Sequence, residues 1–167
     1  MLESIVAFVD GSALNQWIVA AWWIWPVFEI LHFFGLSMLF GGLLVIDLRL
    51  AGHFRRLDPR ATHTLIPVVL AGFTINLVTG ILFFYGDPVT YASNAMFQIK
   101  MVLIVFAGLN ALVYYWLLHP LVHNWTENTE APLAAKIVAY VSLALWTSVM
   151  LCGRLIPYIG EYLGTGN

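Results

Sequence analysis

Residues 65–85 read LIPVVLAGFTINLVTGILFFY, an apolar stretch that contains no charged side chain. An α-helix rises about 1.5 Å per residue, so roughly 20 mostly apolar residues are needed to cross the hydrocarbon core of a bilayer. Membrane β-strands are about half that length and alternate in polarity, a pattern that this stretch does not have. Residues 65–85 are therefore predicted to form a membrane-spanning α-helix.

Three further stretches have the same length and character, residues 26–46, 97–118 and 137–156. Pro26 suits the first turn of a helix, where its missing N–H is not needed. Only 10% of the residues are charged, against about a quarter in a soluble domain. The sequence therefore predicts an all-α membrane protein, a four-helix transmembrane bundle over residues 26–158 whose surroundings are a lipid bilayer.

The basic residues predict how this bundle is oriented. They are concentrated in the first and third connections and include Arg49, Arg55, Arg56, Arg60 and Lys136. Residues 1–25 and the middle connection, residues 86–96, contain no lysine or arginine. Because lysine and arginine accumulate on the cytoplasmic side of a membrane, both termini are expected to lie outside.

The segments that flank the bundle are short. Residues 1–25 are predicted to be an N-terminal amphipathic segment at the outer membrane interface, and residues 159–167 a short C-terminal tail. The first of these lacks the basic region of a cleavable signal peptide, so it is expected to be retained. The net charge of −2 argues against nucleic acid as a partner, and the single cysteine, Cys152, excludes an internal disulfide.

Four ionisable residues lie near the outer ends of the predicted spans, and they are Glu29, His32, Lys100 and Arg154. Glu29 and His32 are three residues apart and therefore share a helix face. All four lie within roughly 10 Å of the predicted outer boundary, counted from the rise per residue. A charged residue at the centre of a span costs about 2.5–3.5 kcal/mol, and less near its ends. These side chains are expected to face each other in a polar pocket.

Simpler interpretations of the same residues stay open. Lys100 and Arg154 could extend to the outer headgroups, and Glu29 could pair with either of them only to fix helix packing. His32 could be a neutral histidine hydrogen-bonded to a backbone carbonyl.

Small and polar residues form stripes beside the predicted pocket. Gly35 and Gly42 lie beside His32, and the stripes on the second and third spans comprise Gly72, Asn76, Thr79, Gly80, Ala107, Asn110, Ala111 and Tyr114. Small residues let membrane helices approach closely, but they could equally leave room for a flat cofactor. Spacing does not decide between the two, and Asn76, Asn110 and Tyr114 are added to the candidate pocket residues.

A second group of polar residues is predicted at the cytoplasmic boundary, and it comprises Asp47, His53, His63, His119, His123 and the arginines. His119 and His123 have a spacing that can hold a metal on a helix, but Pro120 lies between them. A solvated basic rim that contacts anionic headgroups is the favoured interpretation.

Residues 29–35 (EILHFFG), Gly42 and residues 47–50 (DLRL) resemble the first helix of a group of small bacterial inner-membrane proteins of uncharacterised function. That group is distantly similar to CopD copper-resistance proteins and to HemJ-type protoporphyrinogen oxidases. The resemblance covers nearly the whole chain from Trp25 and continues through residues 71–73, 79–80, 97–100, 108–110 and 153–158. It implies a multi-pass protein of the bacterial inner (cytoplasmic) membrane.

The two distant resemblances imply different cofactors. The HemJ-like one implies a haem b held by a histidine of the first helix, with a required lysine on the third, and His32 and Lys100 match these positions. Arg49 matches an arginine at the inner end of the first helix. The remaining residues follow the uncharacterised group instead. The CopD-like resemblance implies copper that enters the membrane from the outer side.

Coordination chemistry favours haem over copper by a small margin. An imidazole in an apolar pocket is a good axial ligand, so His32 is the predicted metal ligand, and Lys100 and Arg154 could pair with the haem propionates. Glu29 would orient or compensate these cations, and no second histidine lies at the depth of His32. Copper would have His32 and soft ligands near the outer side, which are Met96, Met101, Met150 and Cys152. The two basic residues argue against binding a further cation.

Three functions follow as hypotheses. The leading one is a small b-type cytochrome, or a cytochrome-like subunit, that passes electrons to or from a quinone or a periplasmic redox protein. The second is a copper-handling membrane protein. The third is a non-catalytic accessory subunit of a larger membrane complex, and a homo-oligomer is also compatible with the sequence.

Overall fold

The computed structural model describes residues 2–54, 56–58, 61–62, 64–118, 120 and 131–162. Every regular element in these ranges is helical. In chain order they are α1 (Leu2–Val9), α2 (Ala13–Ala20), α3 (Ile24–Leu50), α4 (Ile66–Gly86), α5 (Pro88–Ser93), α6 (Ala95–Val113) and α7 (Leu133–Tyr162). Helix α6 continues directly into a π-helical turn, Tyr114–Leu118.

Four of these helices are long and apolar enough to cross a membrane, and they are α3, α4, α6 with its π-helical turn, and α7. The prediction of an all-α protein with four such helices is confirmed. The first of these spanning helices, α3, begins at Ile24 instead of Pro26, and the fourth, α7, begins at Leu133 instead of residue 137. Both helices therefore extend past the apolar stretches by which the sequence identifies them.

One end of the bundle contains the start of α3, the end of α4, the start of α6 and the end of α7. We call it the terminal end. Two buried asparagines tie it together. Asn94, which is 2% exposed, donates from Nδ2 to the carbonyl of Ile156 at 2.9 Å. Asn15 of α2 donates from Nδ2 to the carbonyl of Tyr85 at 2.7 Å. The sequence predicts that this end faces outward, and that orientation stays a prediction.

The bundle consists of two helix pairs, α3 with α4 and α6 with α7, which meet through α3 and α7. The first pair is in backbone contact at Gly35 and Gly72. A Cβ atom on Gly72 would come within 2.6 Å of the Gly35 carbonyl oxygen and of the Leu39 amide nitrogen. Gly42 likewise packs against Val69. These glycines therefore serve close helix packing, one of the two roles that spacing alone leaves open.

The apolar core is divided between the two ends of the bundle. At the terminal end Ile18, Ile24 and Phe28 form one cluster, against which Phe83 packs. The larger cluster lies toward the opposite end and is built mainly from α3, α4 and α7. Beside it the rings of Phe73 and Trp146 meet edge-to-face, with their centroids 6.2 Å apart.

The N-terminal segment forms two short helices that pack on the terminal end. Ser12 caps α2 by accepting a hydrogen bond from the Asn15 amide. Val9 and Ile18 are buried against the rest of the chain. The position of this segment at a membrane surface stays a prediction.

The middle connection contains a helix, α5, that the sequence pattern did not indicate. Asp87 caps it by accepting a hydrogen bond from the Thr90 amide, and Asn94 caps α6 by accepting from the amides of Met96 and Phe97. These caps satisfy amide groups that a helix start leaves without a partner.

The prediction of a solvated rim is wrong for two of its members. Asp47 is only 5% exposed and Arg49 only 1% exposed. The Arg49 guanidinium donates from Nε to the Leu57 carbonyl at 2.6 Å, because the chain after α3 folds back over it. His53 is exposed and its Nε2 is 2.9 Å from the Tyr140 hydroxyl. His63, His119 and His123 lie outside the described residues.

Candidate functional site

His32 is held by a threonine of the neighbouring helix. Its Nδ1 lies 2.7 Å from Oγ1 of Thr79, which is 3% exposed. The threonine hydroxyl is also 2.7 Å from the Ile75 carbonyl, to which it can donate its single hydrogen. We therefore assign Thr79 as the acceptor of the bond with His32, which places the imidazole proton on Nδ1 and the lone pair on Nε2.

The imidazole ring is also fixed by an aromatic neighbour. Phe83 lies one turn after Thr79 on α4 and meets the His32 ring edge-to-face at 5.5 Å. No residue in the described part of the chain forms a hydrogen bond with Nε2 of His32. The alternative in which a backbone carbonyl holds this histidine is wrong, since a side-chain hydroxyl takes that place. What remains is an oriented imidazole with one unused nitrogen.

Lys100 of α6 lies against α7 at the same level. Its Nζ atom is 3.3 Å from the position that a Cβ atom on Gly153 would take, so the lysine side chain lies directly along this glycine. The ammonium group is close enough to His32 and to Cys152 to interact with each electrostatically. Among the described residues it forms neither a hydrogen bond nor an ion pair. A cation in apolar surroundings without a protein anion is a candidate partner for an anionic ligand.

Asn76 adds a second unused polar atom to this region. Its Nδ2 donates to the Gly72 carbonyl at 3.0 Å. Its Oδ1 is buried and has no hydrogen-bond partner among the described residues. We call His32, Asn76, Thr79 and Lys100 the His32 site. Its unused polar groups are the Nε2 atom of the imidazole, an amide oxygen and an ammonium group.

The helix surface beside the His32 site leaves space on one side. Gly80 is half-buried, and no heavy atom beyond its own helix backbone lies within 4 Å of the position of a Cβ atom. It is two helical turns from Phe73 and therefore on the same face of α4. Phe73 packs against Trp146 of α7. The open position at Gly80 thus lies on the face that α4 turns toward α7.

Glu29 and Arg154, two further predicted pocket residues, lie at the surface of the terminal end. Arg154 is exposed and donates from Nη2 to the Tyr158 hydroxyl at 2.9 Å, with its guanidinium 5.2 Å from the centre of that ring. Glu29 is also exposed. Neither residue forms an ion pair with another described residue. Of the four predicted ionisable residues, His32 and Lys100 are close enough to interact electrostatically.

Glu29 is close enough to interact electrostatically with Tyr91 of α5, which is not one of the predicted pocket residues. Burial raises the pKa of Tyr91 to about 12, and the negative charges of Asp87 and Glu29 contribute to that shift. Tyr91 therefore remains a neutral phenol at physiological pH. Its ring packs edge-to-face on Phe97 at 5.4 Å, so α5 is fixed against the start of α6.

Asn110 and Tyr114 lie too deep in the bundle to belong to the His32 site. Asn110 donates from Nδ2 to the Val138 carbonyl at 3.2 Å and so links α6 to α7. It lies ten residues after Lys100, about 15 Å along the helix. Tyr114 packs against the core cluster nearer the opposite end.

The donor groups of the site can be compared with those that haem and copper require. Among the described residues no three histidine, cysteine, aspartate or glutamate side chains lie together as a metal-binding group. Met101, one of the predicted soft ligands, is 40% exposed. Haem needs only one strong protein ligand, which Nε2 of His32 can supply, and a cation near its propionates, which Lys100 can supply.

Comparison of the chain with known protein families, curated proteins and solved structures finds no match. The resemblance to CopD and HemJ proteins therefore stays a prediction.

Proposed function

We propose that the chain is a small membrane b-type cytochrome, or a cytochrome-like redox subunit, that binds haem b at the His32 site. In this proposal it passes electrons to or from a quinone or a periplasmic redox protein. When bound, the haem supplies one-electron oxidation and reduction. The chain's own residues bind the group, orient it and keep it in apolar surroundings.

The observation that carries the proposal is the hydrogen bond between His32 and Thr79. A histidine that binds a metal through one nitrogen usually donates the hydrogen on its other nitrogen to a neighbouring acceptor, which fixes the tautomer and the ring orientation. Nδ1 of His32 makes such a bond at 2.7 Å, and Nε2 is left for the iron. The arrangement therefore provides both the ligand and the group that orients it.

Lys100 supports the proposal from a different helix. A haem carries two propionates, and a charge-assisted hydrogen bond to one of them is stronger than a neutral one. The lysine side chain lies along Gly153, and the described residues offer it no carboxylate. In the proposed complex Lys100 pairs with a propionate, while Arg154 stays on Tyr158.

A haem titration of the purified chain in detergent tests this function. We expect a Soret band that saturates at one haem per chain, with a pyridine haemochrome of the b type. Lys100→Met should weaken haem binding roughly 10- to 150-fold, because a charge-assisted contact contributes roughly 1.5–3 kcal/mol. Arg154→Met is the matched control and should bind haem as the unaltered chain does, since its guanidinium contacts Tyr158.

Other outcomes of the titration would favour the remaining hypotheses. Stoichiometric copper in the purified chain, with no Soret band, would favour a copper-handling membrane protein over a cytochrome. Absence of both, together with a stoichiometric membrane partner in the purified material, would favour an accessory subunit. Equal haem affinity of the Lys100→Met and unaltered chains would remove Lys100 from the site.

A further inference from the structure

A second polar group lies in the half of the bundle away from the terminal end, and the proposed function does not use it. Asp47 is in the last turns of α3 and is 5% exposed. Its Oδ2 atom is buried, and no described residue forms a hydrogen bond with it. Burying an ionised carboxylate without compensation is costly, so such a group normally takes up a proton or binds a cation.

Two other helices contribute the neighbours of this carboxyl group. Ser142 of α7, which is 6% exposed, offers its hydroxyl to Asp47 as a hydrogen bond. Tyr114, at the start of the π-helical turn that ends α6, is close enough to interact electrostatically with the carboxyl group. We call Asp47, Tyr114 and Ser142 the Asp47 site.

Asp47 forms no ion pair with a described residue of the adjoining helices. Helix α4 contains no aspartate, glutamate, histidine, lysine or arginine. On α3 itself, Arg49 is two residues away and directs Nε to the Leu57 carbonyl. On α7, Lys136 lies against Gly52, after the end of α3, with its Cε atom 3.6 Å from the position of a Cβ atom there.

The number of oxygen atoms at the Asp47 site favours a proton over a metal ion. The carboxyl group and two hydroxyls are fewer ligands than the six or more that hard cations such as Ca²⁺ require. A proton needs a single carboxyl oxygen. The hydroxyl of Ser142 can then stabilise whichever form of the carboxyl group is present, because a hydroxyl can both donate and accept.

From this geometry we infer that Asp47 is a proton-binding site of the membrane domain, separate from the His32 site. The exchange is the simple equilibrium in which the carboxylic acid of Asp47 releases a proton to water and becomes a carboxylate. The proton leaves or enters at the end of the bundle opposite the terminal end, since Asp47 lies three residues before the end of α3 there. Intramembrane carboxyl groups that exchange protons are a recurrent element of membrane relays.

Infrared difference spectroscopy of the full-length chain in lipid vesicles, recorded as the pH is changed, tests this inference. The unaltered chain should show the C=O band of a protonated carboxyl group at neutral pH. Asp47→Asn should lose that band entirely, whereas Asp10→Asn, which removes an exposed carboxylate, should keep it. Spectra of the unaltered and Asp47→Asn chains that coincide across the titration would overturn the inference.

A second variant tests the inference even if the Asp47→Asn chain does not fold. Ser142→Ala keeps the carboxyl group and removes its hydroxyl neighbour, so the C=O band should shift without losing intensity. A band that does not move in Ser142→Ala would also overturn the inference. The haem titration separates this result from the proposed function, because Asp47→Asn and Ser142→Ala should leave the Soret band unchanged if haem binds at the His32 site.

Discussion

Replacing His32 with alanine is expected to abolish the binding of haem, with loss of the Soret band at every haem concentration at which the unaltered chain is saturated. His32 supplies the only imidazole that the described residues offer at the terminal end, and Thr79 lies 2.7 Å from its Nδ1 atom. The smaller side chain removes the ligand and leaves the helix intact, because alanine is the best helix former. Absorption spectra recorded during a haem titration give the result.

His53→Ala is the matched control for this experiment. His53 is exposed, lies just after the opposite end of α3 and pairs with the Tyr140 hydroxyl at 2.9 Å. This variant should bind haem as the unaltered chain does. A His32→Ala chain that retains the full Soret band would contradict the assignment of the iron ligand, and a His53→Ala chain that loses it would move the site to the other end of the bundle.

Replacing Gly72 with leucine is expected to cause the largest loss of stability among glycine replacements in the spans. The first atom of the new side chain would already lie 2.6 Å from the Gly35 carbonyl oxygen and from the Leu39 amide nitrogen. Both atoms belong to the backbone and cannot move aside unless α3 and α4 separate. Overpacking of a core costs about 1–3 kcal/mol and sometimes more, and a backbone clash belongs at the upper end of that range.

The midpoint of thermal unfolding in detergent, followed by circular dichroism, measures this effect. Gly41→Leu is the matched control, because Gly41 is exposed and nothing lies within 4 Å of the position of its Cβ atom. Its midpoint should be unchanged or slightly raised, since leucine favours a helix over glycine. Equal midpoints for the two variants would mean that α3 and α4 do not cross at Gly72.

Hydropathy and length were enough to predict the four long helices because each must supply enough apolar length to cross a bilayer. The same rules could not predict the short helix α5, because Asp87 and Asn94 act through single capping bonds and not through apolar periodicity. They also did not show that α1 and α2 pack on the bundle, which depends on contacts such as that between Asn15 and the Tyr85 carbonyl.

The candidate site was predicted less completely, and the reason is helix rotation. Depth along a helix follows from counting residues, and His32 and Lys100, predicted at one level, are close enough to interact electrostatically. The direction of a side chain depends on packing, and packing turns Arg154 onto Tyr158 and leaves Glu29 exposed. Asp47 was assigned to a solvated rim because it is close in sequence to several arginines, whereas α7 covers it in the structure. Thr79 could be recognised as a partner of His32 only once α3 and α4 were paired.

The proposed haem site depends most directly on which nitrogen of His32 carries the hydrogen. Nitrogen-15 NMR of the haem-free chain, labelled at its histidines and assigned by comparison with His32→Ala, measures this. The account predicts a protonated Nδ1 and a bare Nε2 for His32, because the Thr79 hydroxyl donates to Ile75 and accepts from the imidazole. A spectrum in which Nε2 carries the hydrogen would leave no lone pair on that nitrogen for an iron atom and would contradict the proposed haem site.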